Sequence, residues 1–226
     1  MYHHLCPMPI STDGVLLGAW ADATDARRVL DIGTGCGLIA LMIAQRYPLA
    51  EIDAIDIHEG AVKQATQNFS DSPWRNRLRC THSDFFTFAK ECGNNYDLIV
   101  SNPPFYTEDT LSPDKARANA RNASSLPFQE MIAQSEKLLS NSGKLCIITP
   151  YSIRDEIESI AKSSGLNITR ATLVKPKPDS APHRVLWQLC HNLVSEPYID
   201  ELTIEISRHQ YTQEYISLTQ DFYLKM

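Results

Sequence analysis

Three glycines at alternate positions, Gly33, Gly35 and Gly37, separate a short β-rich run, Arg28 to Ile32, from a helical pattern that begins at Leu38. Glycine adopts backbone conformations closed to other residues, so the chain can turn sharply here and a ligand can lie against it without meeting a Cβ. A strand that passes through such a turn straight into a helix is the opening unit of a wound α/β sheet, and ligands of such sheets bind at the carboxyl ends of the strands.

The chain repeats the unit as far as Ile148. Apolar runs at Arg28–Ile32, Glu51–Ile55, Leu78–His82, Tyr96–Val100 and Gly143–Ile148 read as strands covered on both faces. Helical periodicity fills Leu38–Arg46, Glu59–Phe69 and Pro127–Ser140, with Pro48 and Gly143 as stops. Beyond them, Ser152–Ser163 reads as a final helix, and Asn167–Lys175 with Arg184–Val194 as an antiparallel hairpin across a proline-rich turn. The polar, alanine-rich stretch 107–126 lacks periodicity and reads as a long loop, either a functional lid or disorder. At 226 residues one domain is expected over residues 1–226, with 1–27 as an N-terminal segment.

Composition narrows the class. No apolar run approaches bilayer length, and Met1 to Pro7 lacks a basic region followed by an apolar one, so a cytoplasmic protein is expected. The six cysteines are scattered, with no C-x-x-C pair and no histidine at zinc-finger spacing, which points to structural thiols and no metal. A net charge of -6 argues against non-specific coating of nucleic acid, so any such binding must be local. No membrane contact and no obligate protein partner is indicated.

The glycine register separates two chemistries. A dinucleotide fingerprint, G-x-G-x-x-G, needs glycine where Leu38 stands, which weakens an oxidoreductase reading. The stretch Asp31-Ile32-Gly33-Thr34-Gly35-Cys36-Gly37 instead resembles the first motif of the class I methyltransferases, whose glycines pass close to the methionine part of S-adenosyl-L-methionine. That resemblance implies a Rossmann-like, doubly wound, mostly parallel sheet of seven strands with an antiparallel C-terminal hairpin. It implies a cofactor site from Asp31, Gly33, Thr34, Gly35 and Gly37. Asp56 with Ile57 then stands where the family places an acid that accepts from both ribose hydroxyls, and Asp84 with Phe85 where an acid meets the adenine amino group. Each aspartate alone is also a good strand-end turn residue; their recurrence at consecutive strand ends favours the ligand reading.

The fourth strand runs into Ser101-Asn102-Pro103-Pro104-Phe105-Tyr106. Two prolines bar helix and fix an extended backbone, which serves a rigid turn equally well. After a methyltransferase loop, however, Asn102-Pro103-Pro104-Phe105 resembles the (D/N/S)-P-P-(Y/F/W) motif of enzymes that methylate amino groups conjugated to a ring or carbonyl. Such a nitrogen is a poor nucleophile. The resemblance makes the Asn102 amide and Pro103 carbonyl oxygens acceptors of its two N–H bonds, with Asn102 also beside the cofactor, and Phe105 and Tyr106 a stacking surface for a base drawn out of its helix.

Nearer the amino end, Ser11-Thr12-Asp13-Gly14-Val15-Leu16-Leu17-Gly18-Ala19-Trp20 reads as a turn and an apolar helix. It also resembles the T-D-G-V-L-L-G-A-W stretch of the bacterial tRNA1(Val) adenine-37 N6-methyltransferases, and Gln210–Tyr215 and Asp221–Leu224 are similar to that family's closing segment. This resemblance implies methylation of N6 of adenine-37, Thr12 and Asp13 beside the donor pocket, and the anticodon arm of a tRNA as partner. On the long loop, Lys115, Arg117 and Arg121 read as a solvated face or, from an expected place at the sheet edge, as RNA contacts, with Arg117 and Arg121 clamping the arm. Other basic residues, at Arg75, Arg77 and Arg79 and at Lys175, Lys177, His183 and Arg184, are expected around the same sheet edge. Alternatives are guanine N2 of ribosomal RNA, a glutamine amide of a release factor, and a non-catalytic RNA-binding module.

Overall fold

The computed structural model describes residues 1–93, 95–104 and 127–224. Phe105, Tyr106, Arg117, Arg121 and the 107–126 stretch therefore lie outside the described residues.

Strands β1 (Arg28–Ile32), β2 (Glu51–Asp56), β3 (Leu78–His82), β4 (Tyr96–Ser101) and β5 (Leu139–Pro150) are parallel. With β6 (Asn167–Lys175), β7 (Arg184–Cys190) and β8 (Tyr198–Thr203) they form a sheet of order β3-β2-β1-β4-β5-β7-β6-β8. β7 is antiparallel to both β5 and β6, whereas β8 pairs with β6 in parallel. The doubly wound, mostly parallel architecture with its antiparallel β6–β7 pair is as the sequence implies, but among the described residues the sheet has eight strands rather than seven. The extra one, β8, has a single buried residue, Leu202, and so carries too little apolar alternation to be read as a strand. β7 ends at Cys190, short of the expected Val194.

Among the described residues seven α-helices follow in chain order: α1 (Thr12–Trp20), α2 (Leu38–Arg46), α3 (Glu59–Ser70), α4 (Phe85–Glu91), α5 (Phe128–Leu138), α6 (Arg154–Ser163) and α7 (Gln213–Thr219). Alternate strand residues serve opposite faces. Val29, Leu98, Val100, Cys146 and Ile148 pack with Leu16, Leu17, Trp20, Ile43 and Phe69, on the side of α1, α2 and α3. Leu30, Ile32, Ile99, Leu145 and Ile147 pack with Phe85, Met131, Ile132 and Ile157, on the side of α4, α5 and α6. α1 is buried from Gly14 to Trp20, and a Cβ at Gly18 would stand 2.7 Å from Met42 Sδ, so this glycine lets α1 lie close on α2.

Sheet direction corrects the expected gathering of basic residues. Arg75, Arg77 and Arg79 stand where β3 begins, at the amino edge, opposite the glycine turn. Arg77 donates to the carbonyls of Ala44, Tyr47 and Ala50 at 2.6, 3.1 and 2.7 Å, which closes the carboxyl end of α2. Lys175 and Arg184 do lie at the carboxyl edge, paired with Glu201 and Asp13.

Candidate active site

A cavity of about 320 Å³ opens at the carboxyl ends of β1, β2 and β4, within the size range of small-molecule sites. Its lining includes Gly33, Gly35, Asp56, Ile57, Asp84, Phe85, Asn102, Pro103 and Pro104. These residues come from four separate stretches of the chain, and the strand order brings them to one place.

The glycine turn is built on positive φ angles of 69° at Gly33, 57° at Gly35 and 84° at Gly37. A Cβ at Gly33 or Gly35 would meet nothing within 4 Å, so protein packing leaves these two positions open to the cavity. Gly37 differs: a Cβ there would stand 2.4 Å from Phe69, and the residue is outside the cavity lining, so its space is taken by α3. The turn is tied to β2 by Gly33 and Thr34 amides donating to Ile55 O, and by Gly35 N donating to Asp56 Oδ2 at 2.9 Å. The other Asp56 oxygen accepts from His58 N at 2.8 Å, so one buried carboxylate holds both the turn and the end of its own strand.

Asp31 lies beneath the turn, 1% exposed. Its Oδ2 accepts from the Thr34 hydroxyl at 2.6 Å and from Ala40 N at 3.2 Å, while Oδ1 is buried without a hydrogen-bond partner. Burial pushes the carboxyl up to about 7, against the pull of those two donors. A buried orphan acceptor is costly unless something charged or polar arrives to meet it.

Asp84 caps α4, its Oδ1 accepting from Thr87 N at 3.0 Å. Hydrogen bonds from the Thr87 side chain and amide hold its carboxyl below the usual carboxylate range. Capping and cavity lining are compatible, since an ionised carboxylate has further acceptor sites.

Asn102 is half-buried and Pro103 buried, on the far wall from Asp84. The strand before them is fixed by Ser101 Oγ donating to Ile32 O at 2.9 Å, which locks the tetrapeptide to the base of the glycine turn. Across from it, a Cβ on Gly14 of α1 would stand 3.8 Å from both Asn102 Nδ2 and Ser11 Oγ, so the amide nitrogen of Asn102 faces α1. Thr12 and Asp13 are outside the cavity lining; Asp13 Oδ2 accepts from Arg184 Nε at 2.9 Å and ties α1 to β7 at the rim. Sequence reasoning also missed His58, Ser83 and Phe86 of the lining, and above all Cys6, Pro7 and Met8. Position after a strand end signals the first three. Nothing in the pattern of residues 1–10 signals the last three. Among the described residues there is no cluster of His, Cys, Asp or Glu able to hold a metal ion, and no helix long and apolar enough to cross a membrane.

Residues 13–158 match the family model described as the methyltransferase small domain. A tRNA1(Val) (adenine(37)-N6)-methyltransferase of Flavobacterium johnsoniae is 47% identical over 97% of this chain and 94% of its own length. One of Phocaeicola vulgatus is 44% identical over 100% of this chain and 95% of its own. Among solved structures, a predicted O-methyltransferase from Agrobacterium tumefaciens superposes with a TM-score of 0.70 at 19% identity, covering 92% of this chain and 96% of that one. An O-methyltransferase from neocarzinostatin biosynthesis, in complex with S-adenosylmethionine, gives 0.53 at 13% identity, over 77% of this chain and 51% of that one. At such identities the structural likenesses show the class I methyltransferase fold.

Proposed function

This chain belongs to the tRNA1(Val) (adenine(37)-N6)-methyltransferase family, and from that premise we propose that it moves a methyl group from S-adenosyl-L-methionine to the exocyclic N6 of adenine-37 in tRNA1(Val). The observation that carries the reading is one cavity shared by the open glycines Gly33 and Gly35, the acids Asp56 and Asp84, and the Asn102-Pro103 acceptors.

The residues present fit the cofactor. Two glycines leave uncovered backbone, and the orphan Asp31 oxygen lies under them, the one carboxylate oxygen among the described residues that is buried without a partner. Gly33, Thr34 and Gly35 would carry the methionine portion, with Asp31 supplying negative charge opposite its ammonium. Asp56 would accept from the ribose hydroxyls, with Ile57 against the ring edge. Asp84 and Phe85 would receive the adenine. Gly37 supports this loop from behind, and Thr12 and Asp13 close the rim of the site. When bound, S-adenosylmethionine supplies an electrophilic methyl on a sulfonium.

The chain's own task is to make a poor nucleophile competent. The lone pair of an adenine amino group is delocalised into the ring. Asn102 Oδ1 and the Pro103 carbonyl accept its two N–H bonds, which favours a more tetrahedral nitrogen, aims the lone pair, and offsets the positive charge that develops there. Pro103 and Pro104 keep the acceptors rigid. Transfer would form the N–C bond at the expense of the donor's S–C bond, with S-adenosylhomocysteine as the leaving group, and the cationic nitrogen would lose a proton to water. No histidine or lysine base is required. Phe105 and Tyr106 stack on the extruded base, and Arg117 and Arg121 hold the anticodon arm, within a reducing cytoplasmic setting consistent with six free cysteines.

The test is to incubate the protein with labelled S-adenosylmethionine and tRNA lacking the modification, then locate the methyl by nucleoside mass spectrometry. N6-methyladenosine at position 37 of tRNA1(Val) is expected, falling about 10²–10³-fold in rate with Asn102→Ala, the loss typical of one transition-state partner. Label on guanine N2 of ribosomal RNA or on a release-factor glutamine, with none in tRNA, refutes the proposal.

A further inference from the structure

The first ten residues contain no helix or strand and expose Tyr2, Leu5 and Met8 by 57, 48 and 49%, yet they are firmly attached. Asn68 of α3, itself 5% exposed, accepts from Tyr2 N at 2.8 Å and donates to Tyr2 O at 2.7 Å. The same amide donates to Cys36 O of the glycine turn at 2.8 Å. Gln64, one helical turn earlier on α3 and 2% exposed, accepts from Leu5 N at 3.4 Å. The Cys6 thiol lies close to that of Cys36 in the glycine turn. At Gly60 the fit is so close that a Cβ would stand 2.7 Å from Leu5 O.

In this attachment the backbone is gripped while the apolar side chains remain in solvent. Core burial does not explain it. The route of the segment does. Cys6 sits beside the glycine turn, and Ser11 caps α1, whose Gly14 faces the Asn102 amide. The intervening residues, at about 3.4 Å each, can span roughly 17 Å. They pass from the cofactor side of the cavity to the Asn-Pro-Pro side, with Cys6, Pro7 and Met8 among its lining. Met8 is half exposed while facing a cavity, which is the condition of a side chain whose partner is a ligand.

We propose that residues 2–8 form a strap across the cofactor cavity, latched by Asn68 and Gln64, and that Cys6, Pro7 and Met8 are cofactor-binding residues that govern how fast the cofactor leaves. The inference rests on the cofactor part of the function proposed above, not on the choice of RNA. Asn68 links strap and glycine turn through one amide, so the strap is aligned on the loop whose ligand it covers.

Gly60→Ala tests this without touching the glycine turn. Alanine is the better helix former, so α3 is not weakened, but its Cβ cannot coexist with Leu5 O and the strap must lift. S-adenosylhomocysteine is expected to bind about tenfold more weakly, with the loss in dissociation rate. Faster amide exchange over residues 2–8 and an unchanged unfolding midpoint without ligand accompany it. Met8→Ala, which leaves the latch intact, is expected to lose a few-fold in affinity by the same route. Unaltered affinity and dissociation in Gly60→Ala overturn the strap, whatever the exchange shows. A parent protein that binds no S-adenosylhomocysteine at all overturns the cofactor reading instead.

Discussion

Asp31 is the residue on which the chemistry of the glycine turn presses hardest. With one oxygen committed to Thr34 and Ala40 and the other orphaned, its carboxyl is raised from 3.8 to about 7 by burial. A raised folded-state value means that the folded protein holds this proton where the unfolded chain has released it. The stabilising effect is complete below the unfolded value and disappears as pH rises through about 7. Without ligand, stability should therefore fall by about 2 kcal/mol between pH 5.5 and 8, at roughly 1.4 kcal/mol per pH unit until the group ionises. Asp31→Asn should remove that slope in denaturant titrations. Cofactor affinity should run the other way, because the ionised form is the one that offers charge to an ammonium group. Calorimetry of S-adenosylhomocysteine binding should show tightening toward pH 7 and a plateau above it, with a flat profile in Asp31→Asn. A parent profile flat from pH 5.5 to 8 would falsify the role given to Asp31.

Within the glycine turn, three similar residues have two different jobs, and substitution separates them. Gly33→Ala and Gly35→Ala each place a methyl in open space at a positive φ, costing about 1–2 kcal/mol of stability while filling the surface left for a ligand. Gly37→Ala adds a clash with the Phe69 ring at 2.4 Å and is expected to destabilise by a further 1–3 kcal/mol. Thermal unfolding alongside S-adenosylhomocysteine binding should show the first two losing affinity with the fold retained, and the third losing the fold first. The difference between them was not legible in the sequence, where all three carry the same motif. What was legible is whatever repeats: β1 to β5 with α2, α3 and α5 follow from apolar runs and stops, and Asp56, Asp84 and Asn102 follow from their places at strand ends, whereas α4, seven residues long, is too short to show a period and went unread. The strap was hidden because its attachments use the backbone of Tyr2 and Leu5, and backbone groups are the same in every residue. The arginines before β3 were misread because spacing along the chain does not tell which edge of a sheet a residue occupies.

For the molecule as a whole, the question is how a protein of net charge -6 holds a polyanion. Some of its 21 lysines and arginines are engaged within the fold. Arg77 closes α2, Arg28 lies on Asp53 and the Tyr96 ring, and Lys144, Lys175 and Arg184 face Asp22, Glu201 and Asp13. With 27 acidic residues against 21 basic ones, the excess of acid keeps the number of phosphates the surface can neutralise small, and each contributes only about 0.7–0.9 to the slope of log affinity against log salt. A shallow slope follows, about -2 to -4, with discrimination carried by the extruded base and the shape of the arm. If Arg117 and Arg121 are the main phosphate contacts, reversing both to glutamate should remove about half of that slope while leaving S-adenosylhomocysteine binding untouched. Filter binding of the anticodon arm from 50 to 300 mM salt reads the slope directly. A steep dependence near -6, indifferent to the two arginines, would mean that the polyanion is held by a basic surface elsewhere, and the clamp would have to be abandoned while the chemistry of the cavity stood.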